Sequence, residues 1–254
     1  MINASVQVET YYDPEKDLKA QEDYYREVDF GKGNLPEQIR SLLVGTHTRP
    51  LNYSPHQYVY PWVDLQENGR LKSLYSGASL DPIEAINHDL KILQMSRQEG
   101  ASTSEKLMFN TEHVVPQSWF DEKEPMRGDL HHLFACEPAC NSMRSNYPYH
   151  DFKSYVPEFR ADKIRSGCGM AEEGKFEPEY GKGIVARAVF YFAVRYKDVI
   201  RMEDKMDLEL LLRWHREHPV DVYEKHRNAA IQELQGNRNP FIDHPERAKE
   251  MLGI

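Results

Sequence analysis

The sequence predicts an α+β fold that is mainly helical and forms a single domain. Three observations predict it. Apolar segments with helical spacing are concentrated in the last third of the chain, and short alternating segments bounded by turn residues lie nearer the start. The chain is 254 residues long and contains no repeats or low-complexity linkers. Chains of this length form one domain, or two at most. Apolar residues make up 40% of the sequence, which is enough for a hydrophobic core. We therefore expect one domain over residues 1–254.

Four segments are predicted to be helical from the spacing of their apolar residues: 35–44, 184–200, 206–215 and 220–234. The segment 184–200 is apolar on nearly every side, as expected of a buried central helix. Its most apolar part is only 11 residues long and contains Arg187, so no membrane span is expected. Pro219 separates the last two helices, because proline interrupts a helix from within.

One hairpin is predicted in the first third of the chain. Residues 58–65 and 71–75 alternate as two strands do, and the turn between them, at residues 67–70, contains an Asn-Gly pair. Pro61 lacks an amide hydrogen, so the first strand would have to lie at a sheet edge.

Charge and the N-terminal sequence limit the partners and the compartment. The formal net charge is −9, from 32 Lys and Arg against 41 Asp and Glu, so contact with a nucleic acid has to be local. The first ten residues lack the basic and apolar regions of an export leader. We expect a secreted or periplasmic protein if a leader has been removed, and a cytoplasmic protein otherwise.

Residues 106–152 carry the groups best suited to chemistry, with short apolar pairs alternating with His, Asn, Arg and Asp. Glu112 and His113 place a hard oxygen ligand beside a group that exchanges protons near neutral pH, and this pairing suits metal-assisted hydrolysis. On an extended strand the two side chains would face opposite ways. Both can reach one substrate only if the chain bends, and Pro116 favours a bend.

Four short motifs follow one another along the chain. They are Glu-His-Val-Val-Pro at 112–116, Asp-Leu-His-His-Leu at 129–133, Asn141 with Arg-Ser-Asn at 144–146, and Gln-Gly-Asn-Arg-Asn-Pro-Phe at 235–241. Together they resemble the endonuclease I family of ββα-metal (His-Me finger) nucleases, and four ordered motifs are far more specific than one. The resemblance implies a ββα-metal motif at about residues 106–152. Its first strand and bend would be 112–116, its second strand 129–133, and Asn141 would open its helix.

The resemblance also implies roles for single residues. His113 would be the general base that activates water, Glu112 and Asn141 would bind a catalytic Mg²⁺ or another divalent cation, and Arg127 would stabilise the cleaved phosphate. A cation beside the phosphate offsets its negative charge and stabilises the leaving oxygen. The ring of His113 must be neutral to accept a proton, so its second nitrogen is expected to donate to a carbonyl or a side chain.

Three neighbouring residues each keep two interpretations. Asp129 and His131 either orient the catalytic groups or make structural hydrogen bonds. Arg144 lies one helical turn after Asn141, so the two share a face. It either contacts phosphate or pairs with an acid, and we favour the ion pair.

The three cysteines, Cys136, Cys140 and Cys168, form a C-x₃-C…C set. Three thiolates with His132 or His150 would make a structural zinc site, and the spacing of the first two is usual for zinc ligands. A disulfide with one spare thiol and a trio of buried free thiols are the alternatives. We favour zinc, because the set flanks the predicted catalytic helix and a clamp there would make it rigid.

The function implied by the resemblance is a divalent-metal-dependent endonuclease. It would hydrolyse phosphodiester bonds in DNA, RNA or both and leave 5′-phosphate ends. Little sequence preference is expected, because nothing in the sequence resembles a recognition helix or a base-reading array. The alternative is a non-catalytic, zinc-stabilised module that binds nucleic acid. The endonuclease would cleave the nucleic acid that it binds, whereas the module would bind it without cleavage.

Overall fold

Helices make up about half of the structure. The computed structural model describes residues 10–31, 33–98, 111–155 and 167–254; the first nine residues and 106–110, which enter the expectations above, lie outside these ranges. The α-helices within them are α1 (Pro14–Tyr24), α2 (Leu35–Thr46), α3 (Pro55–Tyr58), α4 (Pro82–Gln98), α5 (Pro138–Arg144), α6 (Lys182–Arg195), α7 (Leu208–Glu217), α8 (Val222–Gln235), α9 (Pro240–Asp243) and α10 (Ala248–Leu252). Across the described ranges, no helix combines the length and the hydropathy needed to cross a bilayer.

The strands are short and pair locally. In the described part of the chain they form three two-stranded antiparallel sheets. The pairs are β1 (Leu71–Lys72) with β2 (Ser79–Leu80), β3 (Thr111–His113) with β4 (Leu133–Ala135), and β5 (Gly169–Glu172) with β6 (Lys175–Pro178). Small separate sheets beside many helices confirm the α+β class and the single domain.

Helix α6 lies at the centre of the hydrophobic core and packs against α7 and α2. Twelve of its 14 residues are buried, which confirms the central helix predicted over residues 184–200, although the helix ends at Arg195 rather than at residue 200. The buried Arg187 donates from Nε and Nη2 to the two carboxylate oxygens of Glu224, each at 2.6 Å. This two-pronged pair offsets part of the cost of burying both charges, but burial still raises the pKa of Glu224 against the effect of Arg187. The predicted helices before and after it are confirmed as α2, α7 and α8.

The predicted hairpin in the first third is wrong. Residues 58–65 are helical rather than extended, since they continue from α3 into a π-helical turn, Val59–Val63. The buried side chains of that turn are at positions 59, 60 and 63, a spacing that fits one face of a helix. A turn does form over residues 66–70, but the strand after it, β1, pairs with β2.

Candidate active site

A β-hairpin followed by a helix carries the predicted site residues. In the hairpin, Glu112 of β3 lies opposite Phe134 of β4, and His113 opposite Leu133. Helix α5 begins three residues after β4 ends, with a proline in its first turn. The amide of Asn141 is therefore carried by the second turn of α5, and the prediction that Asn141 opens the helix is corrected.

The predicted second strand, residues 129–133, is shifted along the chain. Leu130–His132 form a 3₁₀ turn, and β4 begins only at Leu133. The side chain of Asp129 accepts the amide hydrogen of His131 and so caps the turn. This local hydrogen bond competes with strand pairing, which explains why the strand starts later than the sequence motif indicates.

One cleft, with a volume of about 570 Å³, brings together Glu112, His113 and Asn141. His113 is the last residue of β3, and the chain bends directly after it. The bend allows two consecutive side chains to line one cleft, as the sequence analysis requires. The remaining lining is mostly polar and includes residues such as Tyr53, Gln117, Ser118, Glu122 and Asn146.

The imidazole of His113 is buried and held by the main chain. Its Nε2–H donates to the carbonyl oxygen of Arg127 at 2.9 Å, which is the kind of contact predicted for its second nitrogen. The rings of Tyr53 and His132 lie 5.0 and 5.3 Å from the imidazole centre. Burial, followed by the neighbouring His132, lowers the pKa of His113 well below its ordinary value. The ring is therefore neutral at pH 7, with its free lone pair on Nδ1.

The carboxylate of Glu112 is almost fully buried, with 1% of the residue exposed. Its Oε1 accepts a hydrogen bond from the hydroxyl of Tyr75 at 2.6 Å. The Nη1 atom of Arg144 lies 3.5 Å from the same oxygen, so Arg144 forms the ion pair that the sequence analysis favours. Burial raises the pKa of Glu112 to about 7, against the opposing effects of Arg144 and Tyr75.

Asn141 links helix α5 to strand β3. Its side-chain Nδ2 donates to the carbonyl oxygen of Thr111 at 2.8 Å. Because the amide nitrogen is engaged in this bond, Oδ1 is the atom left to bind a ligand. Glu112 and Asn141 thus offer one carboxylate and one amide oxygen, both of which are hard ligands that suit Mg²⁺.

The side chain of Arg127 is not among the residues that line the cleft. Its Nε–H donates to the side-chain oxygen of Gln117 at 3.1 Å, and its guanidinium lies 5.1 Å from the centre of the Tyr53 ring. Both of these partners line the cleft. Arg127 therefore touches the edge of the site through its side chain and the predicted base through its carbonyl.

Asp129 and the C-terminal motif form a buried hydrogen-bond network. The carboxylate of Asp129 accepts from the hydroxyls of Tyr191 and Tyr196, each at 2.7 Å, and from Gln235 at 2.9 Å. His131 donates its ring N–H to the carbonyl oxygen of Asn237. These contacts favour the structural interpretation of Asp129 and His131. They also join the motif at residues 235–241 to the site hairpin.

The cysteines do not form the zinc site. Cys140 and Cys168 are joined in a disulfide, and Cys136 is a buried free thiol. Sulfur atoms in a disulfide are not thiolates and cannot serve as the expected ligands, so the zinc prediction is corrected to the alternative of one disulfide with a spare thiol. In the part of the chain that the structure describes, no three His, Cys, Asp or Glu residues cluster as a metal site would require.

Sequence reasoning did not identify Tyr75 or Tyr53 as site residues. Tyr75 donates a hydrogen bond to Glu112, and the ring of Tyr53 lies 5.0 Å from the ring of His113 and 5.1 Å from the guanidinium of Arg127. Both tyrosines lie far from the motifs along the chain. Only the long-range folding of the chain brings them to the site, and no local signal indicates it.

Known proteins are similar in sequence to this chain. A sequence model for the family described as Endonuclease I matches residues 34–246. The extracellular ribonuclease of Bacillus amyloliquefaciens is 31% identical over 248 residues, which cover 91% of this chain and 78% of that protein. The extracellular ribonuclease of Bacillus subtilis is 33% identical over 189 residues, 67% of this chain and 63% of that protein.

An extracellular deoxyribonuclease of Aeromonas hydrophila is 31% identical over 155 residues, 52% of this chain and 64% of that protein. The alignments thus span less than two thirds of the B. subtilis and A. hydrophila proteins. Together, the matches place this chain among the nucleases. It belongs to the endonuclease I family, as the four motifs predict.

Proposed function

We propose that this protein is a divalent-metal-dependent endonuclease that hydrolyses phosphodiester bonds with little sequence preference and leaves 5′-phosphate ends. The observation that carries the proposal is the convergence of Glu112, His113 and Asn141 on one cleft. Matched relatives include ribonucleases and deoxyribonucleases, so we propose both RNA and DNA as substrates. Strands β3 and β4 with helix α5 would form the ββα-metal motif.

Two oxygen ligands fit a hydrated divalent cation in this cleft. Glu112 and Asn141 would hold it, and water would complete the shell, because Mg²⁺ retains several waters in protein sites. When bound, the cation supplies positive charge that offsets the phosphate charge and stabilises the leaving oxygen. The raised pKa of Glu112 is compatible with this role, since a nearby cation favours the charged carboxylate.

His113 is proposed as the general base. A base must be unprotonated before it accepts the proton of a water molecule, and burial keeps this imidazole neutral. The hydrogen bond from Nε2 to the Arg127 carbonyl assigns the ring proton to Nε2 and leaves Nδ1 to accept. General-base assistance of this kind contributes roughly 10²–10⁴-fold to a rate.

Arg127 is proposed to stabilise the cleaved phosphate from the edge of the cleft. A guanidinium carries a positive charge and can form paired hydrogen bonds to phosphate oxygens. Its contacts with Gln117 and Tyr53 place it beside the cleft lining. The phosphate, rather than the attacking water, is the proposed partner of this guanidinium.

We also propose that the protein acts outside the cytoplasm. The disulfide between Cys140 and Cys168 is of the kind that persists in oxidising compartments. Relatives named as extracellular or periplasmic nucleases support the same compartment. Fractionation of the native host, with the nuclease activity recovered only from cytosol, would contradict this proposal.

The function is tested by incubating supercoiled plasmid and a structured RNA with the protein in Mg²⁺, in EDTA, and in EDTA followed by excess Mg²⁺. We expect cleavage in Mg²⁺, loss in EDTA and recovery on adding Mg²⁺ back. The products should accept end-labelling by polynucleotide kinase only after phosphatase treatment, because their 5′ ends carry phosphate. Binding of both substrates without cleavage would instead indicate a non-catalytic module, and cleavage that resists EDTA would contradict the metal dependence.

A further inference from the structure

The two oxygens of the Glu112 carboxylate have different surroundings. Oε1 accepts the hydrogen bond from the hydroxyl of Tyr75 at 2.6 Å. The same oxygen lies 3.5 Å from Nη1 of Arg144 in the ion pair. Among the residues that the structure describes, no hydrogen bond to Oε2 is found, although Glu112 lines the cleft. The carboxylate is thus occupied on one oxygen and available on the other.

The hydroxyl of Tyr75 is itself fixed in place. Tyr75 is fully buried, its ring packs edge-on against Phe176 with 5.0 Å between centres, and its oxygen lies 2.8 Å from the hydroxyl of Tyr149. The guanidinium of Arg144 in turn lies 5.1 Å from the centre of the Tyr149 ring. Moving the Tyr75 hydroxyl would leave buried polar groups without partners, which is costly. Oε1 of Glu112 therefore keeps its hydrogen bond.

We propose that Tyr75 makes Glu112 a one-oxygen ligand and thereby sets the selectivity of the cleft for small octahedral cations such as Mg²⁺ over Ca²⁺. This inference rests on the proposed function, because it concerns the same cation. Tyr75 is a positioning residue in this account, since it touches Glu112 and not the cation.

The two cations differ in what a second carboxylate oxygen would give them. Mg²⁺ takes six ligands in a near-ideal octahedron at about 2.0–2.1 Å, and a single carboxylate oxygen meets that demand. Ca²⁺ takes six to eight ligands at about 2.3–2.6 Å and often binds both oxygens of one carboxylate. A hydrogen bond held on Oε1 therefore penalises Ca²⁺ more than Mg²⁺. Removing the hydroxyl removes the hydrogen bond on Oε1 and leaves the longer contact with Arg144, so Ca²⁺ gains easier access to a second oxygen, whereas Mg²⁺ has no use for one.

The test is isothermal titration of the whole protein with Mg²⁺ and, separately, with Ca²⁺, for the wild type, Tyr75→Phe and Tyr196→Phe. Tyr196 is the matched control, because its hydroxyl also donates to a buried carboxylate, that of Asp129, at 2.7 Å. We expect the ratio of Ca²⁺ to Mg²⁺ affinity to rise on the order of tenfold in Tyr75→Phe, as one ligand or charged hydrogen bond is worth about that factor. In Tyr196→Phe it should stay at the wild-type value. A ratio is used because a general loss of charge or stability affects both cations alike.

Infrared spectra of the wild type test the same point without relying on the Tyr75 variant. The carboxylate bands of Glu112 are identified by subtracting the spectrum of Glu112→Gln. When Ca²⁺ is added, the antisymmetric and symmetric stretching bands should be widely separated, as they are when a carboxylate binds a cation through a single oxygen. A narrow separation of the two bands, or an unchanged ratio of Ca²⁺ to Mg²⁺ affinity in folded Tyr75→Phe, would overturn this inference and leave the proposed function standing. Failure of the wild type to bind either cation would overturn the proposed metal dependence as well.

Discussion

The ring of His113 donates its Nε2–H to the main-chain carbonyl of Arg127, 2.9 Å away. This contact determines which nitrogen carries the proton, so the neutral imidazole has its lone pair on Nδ1. Since the acceptor belongs to the main chain, the contact does not depend on the Arg127 side chain. The main-chain and side-chain contributions of Arg127 can therefore be separated by substitution.

Arg127→Ala should lower kcat/KM for plasmid cleavage about 10- to 100-fold. The loss of one charged hydrogen bond to phosphate accounts for a change of that size, while the main-chain contact that orients His113 remains. Initial rates at saturating Mg²⁺ measure the effect. Lys123→Ala removes an exposed positive charge from the same loop and should leave the rate near that of the wild type. Equal rates in the two variants would show that the Arg127 side chain does not act on phosphate.

Asn141→Ala should raise the Mg²⁺ concentration needed for half-maximal cleavage at least roughly tenfold. The variant removes one of two protein oxygens proposed to hold the cation, and loss of a ligand costs affinity. Met143→Ala, at a neighbouring position on α5 that is 42% exposed, serves as the control. If both variants titrate with Mg²⁺ like the wild type, Asn141 is not a ligand.

The double variant Cys140→Ala with Cys168→Ala should unfold about 3–4 kcal/mol more easily than the wild type. The disulfide closes a separation of 28 residues, and loops of that size give stabilisation of this order in the chain-entropy treatment. Urea unfolding with and without reductant measures it. The stability of Cys136→Ala should still fall on adding reductant, because this variant keeps the disulfide between Cys140 and Cys168. Wild-type stability that does not change on reduction would contradict the pairing.

Asp129 should contribute stability that is lost in acid. Burial alone would raise the pKa of Asp129, but the imidazoles of His47, His131 and His132 and the hydrogen bond from Gln235 outweigh it and hold the pKa below its usual value. The contribution is therefore complete above the unfolded pKa of about 3.9 and decreases as the pH falls through the folded pKa.

Urea unfolding of the wild type between pH 6 and pH 2.5 measures this loss. Asp129→Asn should be less stable at pH 6 and should show a shallower decline in acid, because the titrating group is gone. Asp204→Asn, which changes a carboxylate that is 62% exposed, should keep the wild-type decline. Parallel curves for the wild type and Asp129→Asn would contradict the role assigned to Asp129.

Part of the fold follows from apolar periodicity. Helices α2 and α7 were predictable, because each buries one face with apolar residues at helical spacing, and α6 because it is apolar nearly all round. Helix α8 was also predictable from its apolar spacing, although most of the side chains that it buries are polar. The π-helical turn Val59–Val63 was not, since β-branched and aromatic residues in a short run satisfy helix and strand patterns equally. Strand β4 begins at Leu133 rather than at residue 129, because the side chain of Asp129 caps the 3₁₀ turn over Leu130–His132. A single hydrogen bond of this kind could not be predicted from the motif.

The site was predictable only where ordered motifs exist. Glu112, His113 and Asn141 lie in such motifs, and the fold brings them to one cleft. The Arg127 carbonyl that holds His113 has no sequence signature, because every residue has a carbonyl. Tyr75 reaches Glu112 across 37 residues of chain, so its role depends on the tertiary fold. The disulfide partner of Cys140 is likewise set by the fold.

The cleavage rate of His113→Ala at saturating Mg²⁺ tests the central claim most directly. The account predicts a fall of roughly 10²–10⁴-fold in kcat, with Mg²⁺ affinity unchanged and partial recovery on adding free imidazole. His88→Ala, at a half-exposed histidine on α4, should cleave like the wild type. A His113→Ala protein that cleaves plasmid at the wild-type rate would contradict the assignment of His113 as the base.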